Sequence, residues 1–207
     1  MGMFGKMAIV TMLLVFCGVI LVGCGSKNDE SPTNTITDMP TDTPKNTSNE
    51  NVALKQLAFV YQENTIAISD IVDDQKIESM LGKADEIKSH TYSKDDGLNM
   101  DQLNGMTEKQ YRYPGLVIKT IDATKDKKSF IFSIEITDSK YPTIRNIKVG
   151  DSFEKLKVAY PEGNLLGGEL SNEEDDFRYE PVNYVDAMNF KIKNRKVESI
   201  LIYTLLD

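Results

Sequence analysis

Two stretches of this chain repeat the same order of signals, and that order restricts the fold more than any other feature of the sequence. Lys76-Ile77-Glu78-Ser79-Met80-Leu81-Gly82 can be laid on Lys155-Leu156-Lys157-Val158-Ala159-Tyr160-Pro161, each a short helical run stopped by a helix-breaking residue. An aromatic-Arg-Tyr triplet follows each run, Tyr111-Arg112-Tyr113 and then Phe177-Arg178-Tyr179. Alternating residues come next. Ser129 to Thr137 sets Phe130, Phe132, Ile134 and Ile136 on one face and Ile131, Ser133, Glu135 and Thr137 on the other, and Val197 to Thr204 can be laid over it. A period of two describes a strand buried on one side, so both runs predict half-buried antiparallel strands.

Local chemistry sharpens the boundaries. In Gly150-Asp151-Ser152-Phe153-Glu154, Asp151 is the expected N-cap of the second helix, with Glu154 three residues on completing a capping box. Asn189 to Ile192, the turn Lys193-Asn194-Arg195-Lys196 and Val197 to Tyr203 predict a two-residue hairpin in which Asn194 accepts a positive φ. The predicted fold is therefore α+β: a tandem repeat of a short helix followed by an antiparallel β-meander of about three strands, with the helices packed on one face of the sheet. The expected units are 52–140 and 141–207.

The N-terminus reads differently. Lys6 precedes Met7 to Val22, an uncharged apolar run too short for a comfortable membrane span, which takes about 20 residues. The run closes on Leu21-Val22-Gly23-Cys24, which resembles the lipobox of bacterial lipoprotein precursors. That resemblance implies a signal peptide over 1–23 cut after Gly23, and a Cys24 thiol carrying diacylglycerol with fatty acyl groups such as palmitate. No other cofactor is expected. It also implies an address, lipid-anchored at the cell membrane and facing outside the cytoplasm; two or three acyl chains hold where one binds only marginally. Cys17 falls inside the discarded run, so the mature chain keeps no thiol for a disulfide or a cysteine metal site. From Cys24 to Asn51 the composition turns to Ser, Thr, Asn, Pro and Asp, a flexible tether with a root-mean-square span of about 25–30 Å.

A second resemblance concerns the exported part. Ile147-Lys148-Val149-Gly150-Asp151-Ser152-Phe153-Glu154-Lys155-Leu156 followed by a meander resembles the repeat of the beta-lactamase inhibitor protein-like fold, also seen in small outer-membrane lipoproteins of the SmpA/OmlA type. It spans residues from about 65 to 207 and implies a short helix on one face of an antiparallel sheet, with tandem copies forming one long curved sheet. Two departures stand out. Ile71-Val72-Asp73-Asp74 lacks the Gly of Val149-Gly150-Asp151-Ser152, and the mature chain cannot make the disulfides that inhibitor proteins of this kind carry within each repeat. The resemblance implies a binding module without naming a target.

Charge and motif content narrow the function. A net charge of −8, with no basic block longer than Lys125-Asp126-Lys127-Lys128, argues against nucleic acid as a partner. His90, the only histidine, sits in the polar stretch Lys88-Ser89-His90-Thr91-Tyr92 and is read as a solvated loop residue. No nucleophile elbow or histidine metal spacing accompanies it. The acidic runs Asp95-Asp96-Gly97-Leu98-Asn99-Met100-Asp101 and Glu173-Glu174-Asp175-Asp176 do not follow the EF-hand order and read as solvated loops. Gly167-Gly168 lacks the residues of a phosphate loop.

The expectation is a non-catalytic binding module for a protein or cell-envelope component, attached to the membrane through its lipid. The alternative is a small envelope-polymer hydrolase using paired carboxylates. The candidate contact residues are Ile131, Ile200 and Ile202, apolar on the sheet face opposite Phe130 and Ile134, together with Tyr111, Tyr113, Phe177 and Tyr179. Two plainer readings stand beside these. The segment Val52 to Ile68 can cover the isoleucines, and the aromatics can be core with Arg112 and Arg178 pointing outward.

Overall fold

Each of the two α-helices among the described residues forms where a side-chain oxygen caps its first turn. In a computed structural model, which describes residues 55–97, 101–122, 128–168, 174–181 and 184–206, Asp73 caps α1 (Asp74–Leu81) by accepting from the Lys76 backbone N–H at 2.7 Å. Gly82 ends it at φ 81°, a left-handed turn that a side chain would disfavour. The cap of α2 (Phe153–Ala159) is Ser152, not Asp151: the Ser152 hydroxyl accepts from Lys155 N–H at 3.2 Å. Asp151 stands one residue outside, accepting from Lys148 N–H at 2.9 Å and Lys155 Nζ at 2.7 Å, and Glu154 reaches Arg195 instead of turning back on the cap. The expected capping box is thus replaced by a serine cap with two flanking ion pairs.

The strands are β1 (Ala58–Tyr61), β2 (Asn64–Ala67), β3 (Ile71–Val72), β4 (Glu86–Thr91), β5 (Thr107–Tyr113), β6 (Leu116–Asp122), β7 (Ser129–Ile136), β8 (Asn164–Leu165), β9 (Glu174–Tyr179), β10 (Asp186–Lys193) and β11 (Lys196–Thr204). β1 and β2 form a separate hairpin. The other nine make one antiparallel sheet in the order β4-β5-β6-β7-β11-β10-β9-β8, with β3 paired to the first two residues of β7. The fold is α+β, mostly antiparallel sheet with two helices. Four strands follow each helix where about three were expected. The additional ones are the edge strands: β8 is two residues long, and β4 carries the polar stretch that hides its alternation, so His90 lies in a strand and not in a loop.

The β10–β11 hairpin turns through Asn194 and Arg195 at φ 51° and 58°, the two positive values that a type I′ turn demands. Strand β7 departs from strict alternation. Lys119 opposes Ser133 while Thr120 opposes Ile131, so Phe132 is an extra residue that reverses the phase. Ile131, Ile134 and Ile136 therefore share the buried face, whereas Phe130 and Phe132 are only half-buried. This corrects the expected division, which put Ile131 opposite Ile134.

One hydrophobic cluster fills the buried side. Ile77 of α1 and Phe153 and Leu156 of α2 meet Tyr111, Ile118, Ile134, Phe177, Phe190 and Ile200 of the sheet, and Leu57, Phe59, Ile66 and Ile68 of the β1–β2 region join them. All described residues fall within one compact unit, Pro44–Asp207.

Candidate functional site

The burial pattern sorts the seven candidate contact residues at once. Ile131, Ile200 and Ile202 have no exposed surface, and Tyr111, Phe177 and Tyr179 are nearly as enclosed. Ile200 and Ile202 lie directly opposite Ile136 and Ile134, and direct cross-strand partners share a face, so these isoleucines belong to the core. The segment around β1 and β2 packs into the same cluster as the two helices, so it meets the isoleucines on the helix face and is not the second layer over the opposite face that the plainer reading expected. Only Tyr113 stays half-exposed, its hydroxyl donating to Gly82 O at 3.2 Å. Arg112 and Arg178, the middle residues of the two triplets, point the other way. Gly23 and Cys24 lie outside the described residues, as does Glu173 of the second acidic run.

Those two arginines mark the ends of a row on the uncovered sheet face. Arg112, Val117, Glu135, Leu201, Asn189 and Arg178 oppose one another in register across β5, β6, β7, β11, β10 and β9. At the usual strand spacing the row is about 24 Å long. Each member alternates with buried neighbours, so its side chain leaves the core face. Val117 and Leu201 are the apolar members, on either side of the exposed Glu135, with Tyr203 in the next row; Leu201 is 38% exposed. Both ends are charged. Arg112 Nε lies 3.4 Å from Glu86 Oε2, and Arg178 pairs with Glu180 while its guanidinium sits 5.7 Å from the Tyr203 ring centroid. Beyond this row the face closes over. Leu103 and Ile121 are buried outside the main cluster, and Tyr92 donates to Glu108 Oε2 at 2.7 Å. Burial, reinforced by Glu108, pushes the Tyr92 phenol up to about 12.

Concavities flank the sheet. Beside α1 a groove of about 120 Å³ is lined by Asp74, Ile77, Ala84, Ile87, Tyr111 and Tyr113, among others. Lys109 Nζ donates to both Asp74 oxygens at 2.8 Å and the Tyr111 hydroxyl to Oδ1 at 2.5 Å, which together hold the Asp74 carboxyl below the usual range. Burial first, then Asp74, pushes the Tyr111 phenol up, and burial takes Tyr113 to about 12. These phenols are neutral hydrogen-bond donors throughout the physiological range.

A cleft of about 170 Å³ holds Glu162, Asn164, Leu166, Arg178 and Glu180. Its two carboxylates each meet an arginine: Glu162 accepts from Arg145 Nη1 at 2.9 Å, and Glu180 pairs with Arg178. Arg145 holds the Glu162 carboxyl down, the opposite of what a proton-donating glycosidase acid needs. A shallow apolar hollow of about 320 Å³ lies between β3 and the start of β7, lined by Ser69, Ile71, Lys128, Ser129 and Phe130.

The acidic stretches serve turns. Asp96 accepts from Ser93 N–H at 2.8 Å and lies 3.1 Å from His90 Nε2, and Asp175 accepts from Gly167 N–H at 3.1 Å. Among the described residues no three His, Cys, Asp or Glu side chains gather as a metal site would require. Arg145 carries no local signal that sequence reasoning could have found. Its guanidinium lies 4.7 Å from both the Tyr160 and Tyr179 ring centroids, and it donates to Ala159 O at 2.9 Å and Tyr179 Oη at 2.8 Å.

No family model matches the chain, and no curated protein does. A solved structure similar in part is that of the uncharacterised protein yfeY from Escherichia coli, at 18% identity and a TM-score of 0.36, the similarity covering 67% of this chain and 92% of that one.

Proposed function

We propose that this chain is an exported lipoprotein, tethered outside the cytoplasmic membrane through a lipidated Cys24, whose folded domain binds a protein or cell-envelope component on the uncovered face of its sheet. The single observation that carries the binding reading is the in-register row from Arg112 to Arg178, with apolar Val117 and Leu201 inside it and a paired arginine at each end. Arginine and aromatic side chains beside apolar ones are enriched at contact surfaces, and Glu135 between Val117 and Leu201 adds a charge for a partner to match. No helix among the described residues is long and apolar enough to cross a membrane, so the attachment proposed rests on Leu21-Val22-Gly23-Cys24 and the tether that follows.

The experiment is capture from detergent-solubilised host envelope with the tagged full-length chain, its Leu201→Glu variant and a Val158→Glu control on the outer face of α2. Capture lost with Leu201→Glu and kept with Val158→Glu supports the reading; equal capture by all three refutes it. Cys24→Ser is expected to leave the precursor uncleaved and unlipidated. Normal processing and membrane retention of that variant would end the lipoprotein reading.

The same proposal includes a tandem repeat. Three features support it. Asp73 and Ser152 cap their helices at equal distance from the buried Ile77 and Leu156. Both meanders slip register at matching places, after Lys119 opposite Ser133 and after Lys191 opposite Ser199. The sheet order is symmetrical about the β7–β11 pair. Superposing 73–136 on 152–204 is the check, expected to lay helix on helix and four strands on four; helices on opposite faces would exclude the repeat.

A further inference from the structure

We infer that the chain self-associates, two copies pairing antiparallel along β4 with the two-fold axis at Ile87, so that their sheets become one. It uses the backbone edge of the sheet and not the lipid anchor, although Glu86, on which it draws, also meets Arg112 at one end of the open-face row. Among the described residues β4 has β5 on one side and no strand on the other, and all six of its residues are exposed. An edge of that length presents backbone donors and acceptors ready to pair with another strand.

Which groups face outward follows from the ladder. Tyr92 N–H donates to Met106 O and Tyr92 O accepts from Gly105 N–H, both at 2.9 Å, so Tyr92 turns its backbone toward β5. The register from Thr91 back to Glu86 has no slip, and antiparallel bonding alternates, so His90, Lys88 and Glu86 turn inward as well. Ile87, Ser89 and Thr91 hold the outward N–H and C=O groups. Two copies centred on Ile87 therefore exchange a pair of backbone hydrogen bonds at the axis itself.

Charge selects this register. With Ile87 on the axis, Glu86 opposes the partner's Lys88 and Lys88 opposes the partner's Glu86, two unlike pairs. Moving the axis by one residue sets Lys88 against Lys88 or Glu86 against Glu86. A shift of two toward the C-terminal end sets Lys88 against His90. The side chain at the axis fits too. Ile87 is 54% exposed and borders the groove formed with Ile77, Ala84 and Tyr113, so the second Ile87 covers apolar surface that water now meets.

The test is disulfide trapping in membranes of cells making the full-length chain. Across such a pair the α-carbons lie about 5.5 Å apart, within disulfide reach. Ile87→Cys is expected to give a species of twice the chain mass on mild oxidation, while the native chain, which carries Cys17 and Cys24, and Val158→Cys, 83% exposed on α2, do not. Adding Lys88→Glu to Ile87→Cys sets like charges at both pairs and should lower the trapped fraction about tenfold; adding Glu86→Lys as well should restore it. No dimer from Ile87→Cys, as much from Val158→Cys, an adduct with a protein of different mass, or indifference to Lys88→Glu each overturns the inference.

Discussion

Arg145→Ala tests whether one side chain ties the 141–147 segment to α2 and β9. Its guanidinium lies beside the Tyr160–Tyr179 ring pair, 4.7 Å from each centroid, with the two centroids 4.9 Å apart, and the side chain is 24% exposed. Two such stacks contribute about 0.5–1 kcal/mol each. The hydrogen bonds to Ala159 O and Tyr179 Oη add about 1 kcal/mol apiece, since truncation leaves both acceptors without their donor. The Glu162 partner is more than half exposed, so that ion pair adds little. The sum is about 3 kcal/mol, equivalent to a Tm lower by about 6–12 °C for a domain of this size. Urea titration followed by tyrosine fluorescence measures it. Arg145→Lys should fall between, because an ammonium keeps the charge but lacks the planar fork that reaches Ala159 O and Tyr179 Oη together. A loss under about 1 kcal/mol for Arg145→Ala, or native stability for Arg145→Lys, would refute the account.

Two further outcomes follow from the same geometry. The Asp74 carboxyl titrates lower in the folded protein because Lys109 and Tyr111 donate to it, so its contribution is present above its unfolded value near 4 and is lost as pH falls through the folded one. Because Asp74 is more than half exposed, Asp74→Asn should cost about 1 kcal/mol or less at pH 7, with the difference from native vanishing in acid; a constant difference across urea titrations from pH 7 to 2 would exclude the linkage. Gly115 joins β5 to β6 at φ 72°, and a β-carbon there would stand 2.2 Å from Asp138 Cβ. Gly115→Ala should therefore cost more than about 2 kcal/mol, combining backbone strain with the clash; a calorimetric melt matching native would contradict this.

Part of the structure was legible because it depends on neighbours in sequence. Helix stops at Gly82 and before Pro161 and the Asn194 turn are short-range preferences, and the fold keeps all of them. The outward arginines of the two triplets were legible in the same way, since residues flanking Arg112 and Arg178 are aromatic on both sides.

What tertiary structure decided is which face each strand presents and who meets whom. A single extra residue, Phe132, reverses the phase of β7, and nothing local in Ser129 to Thr137 signals it; the bulge exists because β6 pairs there with a slipped register. With the phase reversed, Ile131 joins Ile200 and Ile202 in the core, and Leu201 and Val117 take the open face. Edge position is likewise a property of the sheet. Glu86 to Thr91 reads as a polar loop alone and becomes a strand because β5 supplies its ladder. Arg145 lies 15 residues from Tyr160 and 34 from Tyr179, so the three-side-chain cluster it completes exists only once α2 and β9 are packed. The sequence by itself determined turns and helix stops, set by interactions within a few residues; the contact surfaces depended on cross-strand register, which only the assembled sheet fixes.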